Sequence, residues 1–363
     1  MNTQPAFPRR RMAGFSLVEI MVAILVSLFL LTGVLQLYLG NQQTSRLGSG
    51  VGEIEQTGRF ALDELSGNLR MAAFQGCADA NRVAGNVIAR NAPTTTLATS
   101  AILGFSVTTG GSWTDGRIPI NWAGAVPLSG SDVLQIQGGS RSVSNLASAM
   151  GSASANIPLA SNPDNLTAGE MAIIADCTAA DLIRITSVTG GLTLVYSTAD
   201  NTQTSLSKAY TNTNTTGLNA AQAMRFNSWV YFVRDSGRDA ADGSAIFSLY
   251  RLDTSRQNQA AQELVEGVER LRVLYGERSG TDAIRYRAAA NVTDWSQVVA
   301  VRVALLAASR DPVLEAADTA TYTLLDQSVA KAGTSGATLT YPNDRRLRRV
   351  FTASANVRNR RDL

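Results

Sequence analysis

Histidine is absent from this chain of 363 residues. That removes Ser-His-Asp and Cys-His catalysis, histidine general acid–base chemistry and His-ligated zinc. Cysteine is scarce: Cys77 and Cys177 are the only two, so one chain offers no four-cysteine metal site, and their spacing excludes a CxxC redox pair. Aromatics are 6% and charged residues 17% of the chain, against 45% hydrophobic. With Gly, Ala, Ser, Thr and Asn abundant in the middle, this suits a core surrounded by turns and loops rather than a compact helical enzyme. A calcium loop of alternating Asp/Asn closed by Glu is missing, and Asp176 and Asp181 near Cys177 read as loop residues. We expect no catalytic residue, no metal and no cofactor, hence no enzyme.

Excess charge is lacking as well, although the pI near 9.0 invites a nucleic-acid reading. Arg9, Arg10 and Arg11 lie in a leader without Asp or Glu; taking these three from the 32 Lys+Arg leaves 29, equal to the 29 Asp+Glu. Beyond residue 14 the chain is formally neutral, so nucleic acid is not an expected partner. Arginines before an apolar run instead set orientation, holding the N-terminus in the cytoplasm while the remainder is exported.

That apolar run is the strongest feature present. Phe15 to Leu39 spans about 25 residues, enough to cross a bilayer core as a helix. Its single charge, Glu19, is costly there and points to function, unless it snorkels to the interface of an ordinary signal-anchor helix. No small-residue cleavage pattern follows Leu39, so any cut falls before the run. Leu47, Val51, Ile54, Ala61, Leu65, Leu69 and Ala72 then continue as one stripe at spacings of three, four or seven. The pattern predicts one helix from about Phe15 to about Phe74, on the order of 90 Å long. The Gly48-Ser49-Gly50-Val51-Gly52 cluster lacks the strand and the Lys-Ser/Thr of a phosphate loop and reads as a flexible joint.

Beyond Gly76 the pattern turns to strands. Ile102–Val107, Asp132–Gln137 and Arg348–Arg358 are strand-like, and Leu182–Val188 with Leu192–Tyr196 reads as a hairpin turning at Gly190-Gly191. Arg225–Arg234, apolar on both faces, predicts a central strand paired with Ile246–Leu252. Glu263–Gly276 reads as a turn passing into a strand. Val299, Val301, Val303 and Leu305 predict a half-buried strand. Residues 138–168 and 198–222 read as exposed polar loops. The expected class is α+β: a long N-terminal helix followed by an antiparallel, loop-rich β domain. The expected divisions are a basic leader (1–14), a transmembrane helix (15–39), its amphipathic continuation (40–76) and an exported β domain (77–363).

Gly14-Phe15 followed by Ser16-Leu17-Val18-Glu19 and the apolar helix resembles the type IV prepilin cleavage and methylation motif. The resemblance implies that a prepilin peptidase cuts between Gly14 and Phe15 and methylates the new amine of Phe15. Glu19 would then neutralise an amine of its own or of a neighbouring subunit during assembly. Gly267–Gly276, Asp294-Trp295 leading into Val298–Leu306, and Arg348-Arg349-Val350-Phe351-Thr352 resemble the PilW minor pilins, which are similar to the J-type pseudopilin of type II secretion. This implies an inner-membrane subunit that enters a pilus with other minor pilins and the major pilin. It also implies a tip or priming complex that carries an adhesin and supports twitching motility. A type II secretion pseudopilin and a membrane-anchored binding or DNA-uptake protein are the alternatives.

Two further features stay open. In an exported domain Cys77 and Cys177 have one possible pairing, the other reading being two independent buried thiols. Arg345, Arg346, Arg348, Arg349, Arg358, Arg360 and Arg361 form the one basic cluster beyond the leader. They suit an anionic surface or DNA, or else a charged edge strand that discourages aggregation.

Overall fold

The computed structural model describes Gly14, residues 16–97, Thr99, and residues 101–107, 126–213, 220–256, 259–280 and 283–360. The fold is α+β: one helix, Leu17–Met71, followed by strands in four sheets, predominantly antiparallel. The chain divides into two compact units, Met1–Ser49 and Gly50–Leu363.

Gly48, Gly50 and Gly52 are helical, and the boundary between the two units falls within this cluster, at Ser49 and Gly50. Gly50 is buried because a side chain is unwelcome: an added Cβ would stand 3.2 Å from both methyls of Val313. The docked stripe of the helix is Gly50, Ile54, Thr57, Gly58, Ala61, Leu65 and Leu69. Val51 is exposed rather than buried, so close approach and not bulk sets the upper part of this face. Burying Ile54, Leu65 and Leu69 contributes about 1.5–3 kcal/mol each.

The helix stripe packs between two sheets. The larger has eight strands around the long central strand Gln222–Asp239, which pairs with Asp132–Asn145, Met171–Ala175 and Ala245–Asp253. The smaller runs in the order Ala283–Arg287, Val268–Ser279, Val298–Ala308, Arg348–Asn356, all antiparallel. Leu65, Leu69, Tyr231, Leu249, Leu271, Val273, Val303 and Leu305 share one core between them. The expected pairing of Arg225–Arg234 with Ile246–Leu252 is present within the longer strands.

Several local expectations need correction. Val298–Ala308 is buried on both faces except at Arg302, since Ala300 and Ala304 are small enough to accept cover from a second layer. Glu263–Gly276 is two strands, Gln262–Glu266 and Val268–Ser279, broken at Gly267 with φ 83°. Residues 138–168 are not an exposed loop. The strand from Asp132 runs on to Asn145, and Leu146, Met150, Ile157, Leu159 and Leu166 join a second core. That core also takes Leu206 and Tyr210 from the segment expected as a polar loop at 198–222, of which residues 214–219 lie outside the described residues. Isolated apolar anchors among Ser, Asn and Gly carry no periodicity, which hides them from a pattern search. The glycine hairpin is present as Ser187–Thr189 and Thr193–Val195, while Ala180–Arg184 belongs to the larger sheet. Asp181 lies in that strand, fully buried, and accepts from Asn86 and from the Tyr210 hydroxyl at 2.6 Å each; it is not a loop residue.

Candidate assembly site

The motif residues fall at the start of the helix. Gly14 is exposed, and Phe15 lies outside the described residues. Ser16 Oγ accepts from the Val18 amide at 3.3 Å, and the Glu19 carboxylate accepts from the Ser16 amide at 3.0 Å. This is a capping box, in which the first and fourth residues of S-x-x-E satisfy amides that a helix N-terminus leaves without partners. The pattern was visible in Ser16-Leu17-Val18-Glu19 but is masked by the more conspicuous apolar run behind it. A carboxylate is thereby fixed at the positive end of the helix.

From Leu17 to Leu39 the side chains are exposed, Phe29 at 78% and Leu37 at 72%. The helix is long and apolar enough to cross a membrane by length and composition. Within the Leu17–Leu39 stretch Thr32 donates to the Leu28 carbonyl at 2.8 Å, and just beyond it Thr44 donates to Gly40 at 2.9 Å. A segment of this kind tolerates a solvent without hydrogen-bond partners.

The second half is held by polar contacts at its sides and a clasp at its end. Glu55 pairs with Arg349, and Glu53 accepts from the Arg310 amide at 3.3 Å. Glu64 accepts from Arg251 at 2.8 Å and from the Tyr231 hydroxyl at 3.1 Å, while Asn68 donates to that hydroxyl at 2.9 Å. Burial, reinforced by the Glu64 charge, pushes the Tyr231 phenol far up, so it stays a neutral donor. Gly58 lies against the Phe351 ring where any Cβ would collide. At the C-terminal end, Ala73 donates to the Gln137 carbonyl at 2.9 Å and Gly139 donates to Phe74 at 2.6 Å. Gly138 allows this approach, since a Cβ there would stand 2.6 Å from the Met71 carbonyl. Asn359 caps the Ala72 carbonyl at 2.9 Å. Cys77 and Cys177 are joined as a disulfide across a sequence separation of 100, with Cα atoms 4.6 Å apart. The reading of two independent thiols is therefore set aside.

The C-terminal arginines do not form a basic surface. Arg346 and Arg348 are buried in a network with Glu269, Asp344 and Asp318. Arg348 contacts Glu269 at 2.7 Å and Asp344 at 2.8 Å, with its guanidinium 4.2 Å from the Tyr341 ring centre. Burial alone would raise the Asp344 carboxyl, but Arg348 and Arg346 outweigh it and hold it below the usual range. Arg360 is buried and donates to the Trp295 and Val298 carbonyls. Arg349 is spent on Glu55, Arg345 and Arg358 are exposed, and Arg361 lies outside the described residues. Arg348–Asn356 is an edge strand of its sheet, as the sequence suggested, but its first arginine points inward to charge partners 4 to 79 residues away. Sequence spacing offers no sign of those partners.

Among the described residues, no group of three or more His, Cys, Asp or Glu is placed to hold a metal ion. Residues 230–359 match the family described as type IV pilus-assembly protein W, and residues 9–35 match the prokaryotic N-terminal methylation motif. Neither a curated protein nor a solved structure matches the chain.

Proposed function

We propose that the chain is a type IV minor pilin of the PilW family, a non-enzymatic subunit of a tip or priming complex; the two matched segments, residues 230–359 and 9–35, support this reading. The N-terminal methylation motif implies processing by a prepilin peptidase and assembly with other pilins. In this reading the cut falls between Gly14 and Phe15, Phe15 is N-methylated, and the apolar helix waits in the inner membrane with its N-terminus in the cytoplasm. Assembly then moves that helix from lipid into a bundle of like helices.

The observation that carries the reading is the division of one helix. Its first half exposes apolar side chains behind a carboxylate fixed at the N-terminus, and its second half is sunk in a β domain. The Glu19 carboxylate exchanges an amide for a cationic amine at small cost, and in a low-dielectric bundle that pairing selects register. Residues 50–363 make a head too large for a closely repeating shaft, which favours the tip. Adhesion and twitching motility follow through the complex rather than through this chain alone.

Immunogold labelling of sheared pili tests the position. Label confined to one end is expected; label spread evenly along the shaft overturns the tip assignment, and no label on filaments overturns the subunit itself. Mass spectrometry of the mature protein is expected to find methylated Phe15 as its first residue.

A further inference from the structure

The sheet that begins at Ala283–Arg287 ends on Arg348–Asn356, and the outer edge of that last strand is open. Its pairing with Val298–Ala308 keeps one register throughout, without a bulge. Two backbone bonds bracket it, from the Ser309 amide to the Leu347 carbonyl and from the Val357 amide to the Val299 carbonyl. Stepping by two between them, Arg349, Phe351, Ala353 and Ala355 bond to the neighbouring strand. Val350, Thr352, Ser354 and Asn356 therefore aim their amides and carbonyls at the open side. Thr352, Ser354 and Asn356 are exposed, and among the described residues nothing pairs with them there. Edges of this kind are usually blunted by charge, proline or a bulge. Here Arg348 is turned in to Glu269 and Asp344, Arg349 engages Glu55, and Val350–Asn356 carries neither charge nor proline. Other sheet ends differ: Asn86–Val87 and Ser187–Thr189 are short, Ala283–Arg287 carries Arg285 and Arg287, and Gln262–Glu266 carries Glu263 and Glu266.

Backbone donors and acceptors at strand spacing are matched by another extended chain. Direction narrows its source. Glu55 meets Arg349, Gly58 meets Phe351 and Ala72 meets Asn359, so helix residues 55–72 run the same way as this strand. Two copies joined edge to edge in antiparallel pairing would point those helices in opposite directions, which subunits entering one filament cannot do. An edge strand that runs opposite to its own helix meets the requirement. Ala283–Arg287, at the far edge of this sheet, runs that way, so the fold is able to present such a strand. Its Arg285 and Arg287 mark it as a blunted edge, which leaves the complementary strand to a different pilin.

We propose that Val350–Asn356 takes an uncharged edge strand from the head of a neighbouring, non-identical pilin, paired antiparallel as a fifth strand of this sheet. The proposal rests on the assembly reading and adds to it a contact made by the head rather than by the helix.

The test compares full-length chains in sheared filaments by quantitative immunoblot and, purified in detergent, by thermal melting and light scattering. Thr352→Lys/Ser354→Lys sets charge on the exposed edge. It is expected to fall at least about tenfold in filaments with an unchanged melting temperature, because several backbone bonds are lost together. Ser354→Glu alone, gentler on the fold, should reduce incorporation as well. Thr352→Val/Ser354→Val keeps the edge neutral and open and should enter filaments at the wild-type level. Wild-type levels of the charged variants, or a loss in the valine pair as severe as in the lysine pair, overturns the proposal. A wild-type dimer in detergent that the lysine pair dissociates places a second copy on the edge and overturns the choice of partner. Wild type missing from filaments overturns the assembly reading, and the edge proposal falls with it; wild type and lysine pair present alike overturns the edge alone.

Discussion

Residues 17–49 and residues 50–71 share one helix, yet their side chains meet opposite surroundings. In the first stretch large apolar residues such as Leu17, Phe29 and Leu37 are exposed; in the second, Ile54, Leu65 and Leu69 are at most 2% exposed. The glycines differ with them. Gly33, Gly40 and Gly48 have nothing within 4 Å of an added Cβ; in the second stretch Gly52 and Gly67 are as open, but Gly50 and Gly58, on the docked face, lie against Val313 and Phe351. A helix of uniform backbone is thus written in two chemistries, one suited to an apolar solvent or to other helices and one fitted to a particular surface. Hydrophobicity alone does not separate them; the partner does.

The comparison can be broken at either end. Glu19→Ala is expected to have the largest effect, cutting recovery in sheared filaments by about tenfold or more, since an amine left unpaired in a bundle costs ~3–5 kcal/mol. Its thermal melting should match wild type; a lowered melting temperature would mean that Glu19 serves the fold. Leu65→Ala should do the reverse, lowering the free energy of unfolding by ~2–5 kcal/mol in denaturant titration. Leu35→Ala, in the exposed half, should leave that titration unchanged.

Cys177→Ser should cost ~2–5 kcal/mol by the same measurement, with filament entry impaired only to the extent that the β domain unfolds. A smaller effect is expected at the glycines. Gly58→Ala gains about 1 kcal/mol in helix propensity but forces a shift of Phe351 worth ~1–3 kcal/mol, so a net loss of about 1 kcal/mol is expected. Gly48→Ala, in open space, should gain stability; a loss there would show that its surroundings are tighter than the helix face indicates.

The smallest effect is pH-dependent. Asp344 has a folded pKa below that of an unfolded aspartate, about 3.9. Its contribution is therefore present above about pH 4 and is lost as pH falls through the depressed value. Asp344→Asn should flatten the acid limb of a stability–pH curve and leave the profile above pH 6 without added slope. A slope appearing at neutral pH instead would remove this carboxylate from the account.

Features carried by local chemistry were legible in the sequence: the helix, the glycine turn at 190–191 and the central strand with its neighbour. So was the capping box of Ser16 and Glu19. What stayed hidden depends on long-range partners. Gly58 is indistinguishable from a weak point in a helix until Phe351, far along the chain, is seen above it. Arg346 and Arg348 look like a basic patch until Glu269, Asp318 and Asp344 neutralise them. The loop at 138–168 failed for another reason: single anchors such as Met150 and Leu166 bury themselves without repeating.

The clasp at the end of the helix has a mechanical consequence. A pull delivered along the helix arrives near Phe74 and meets the Cys77–Cys177 bond three residues later. Tension then passes covalently to residue 177 and skips the segment between, which at full extension would measure on the order of 330 Å. That length cannot be paid out, whatever happens to the hydrogen bonds around it. The covalent path bypasses the strands Ile102–Ser106, Asp132–Asn145 and Met171–Ala175, whereas Ile183, Leu194 and Tyr210 of the second core lie in the chain beyond Cys177.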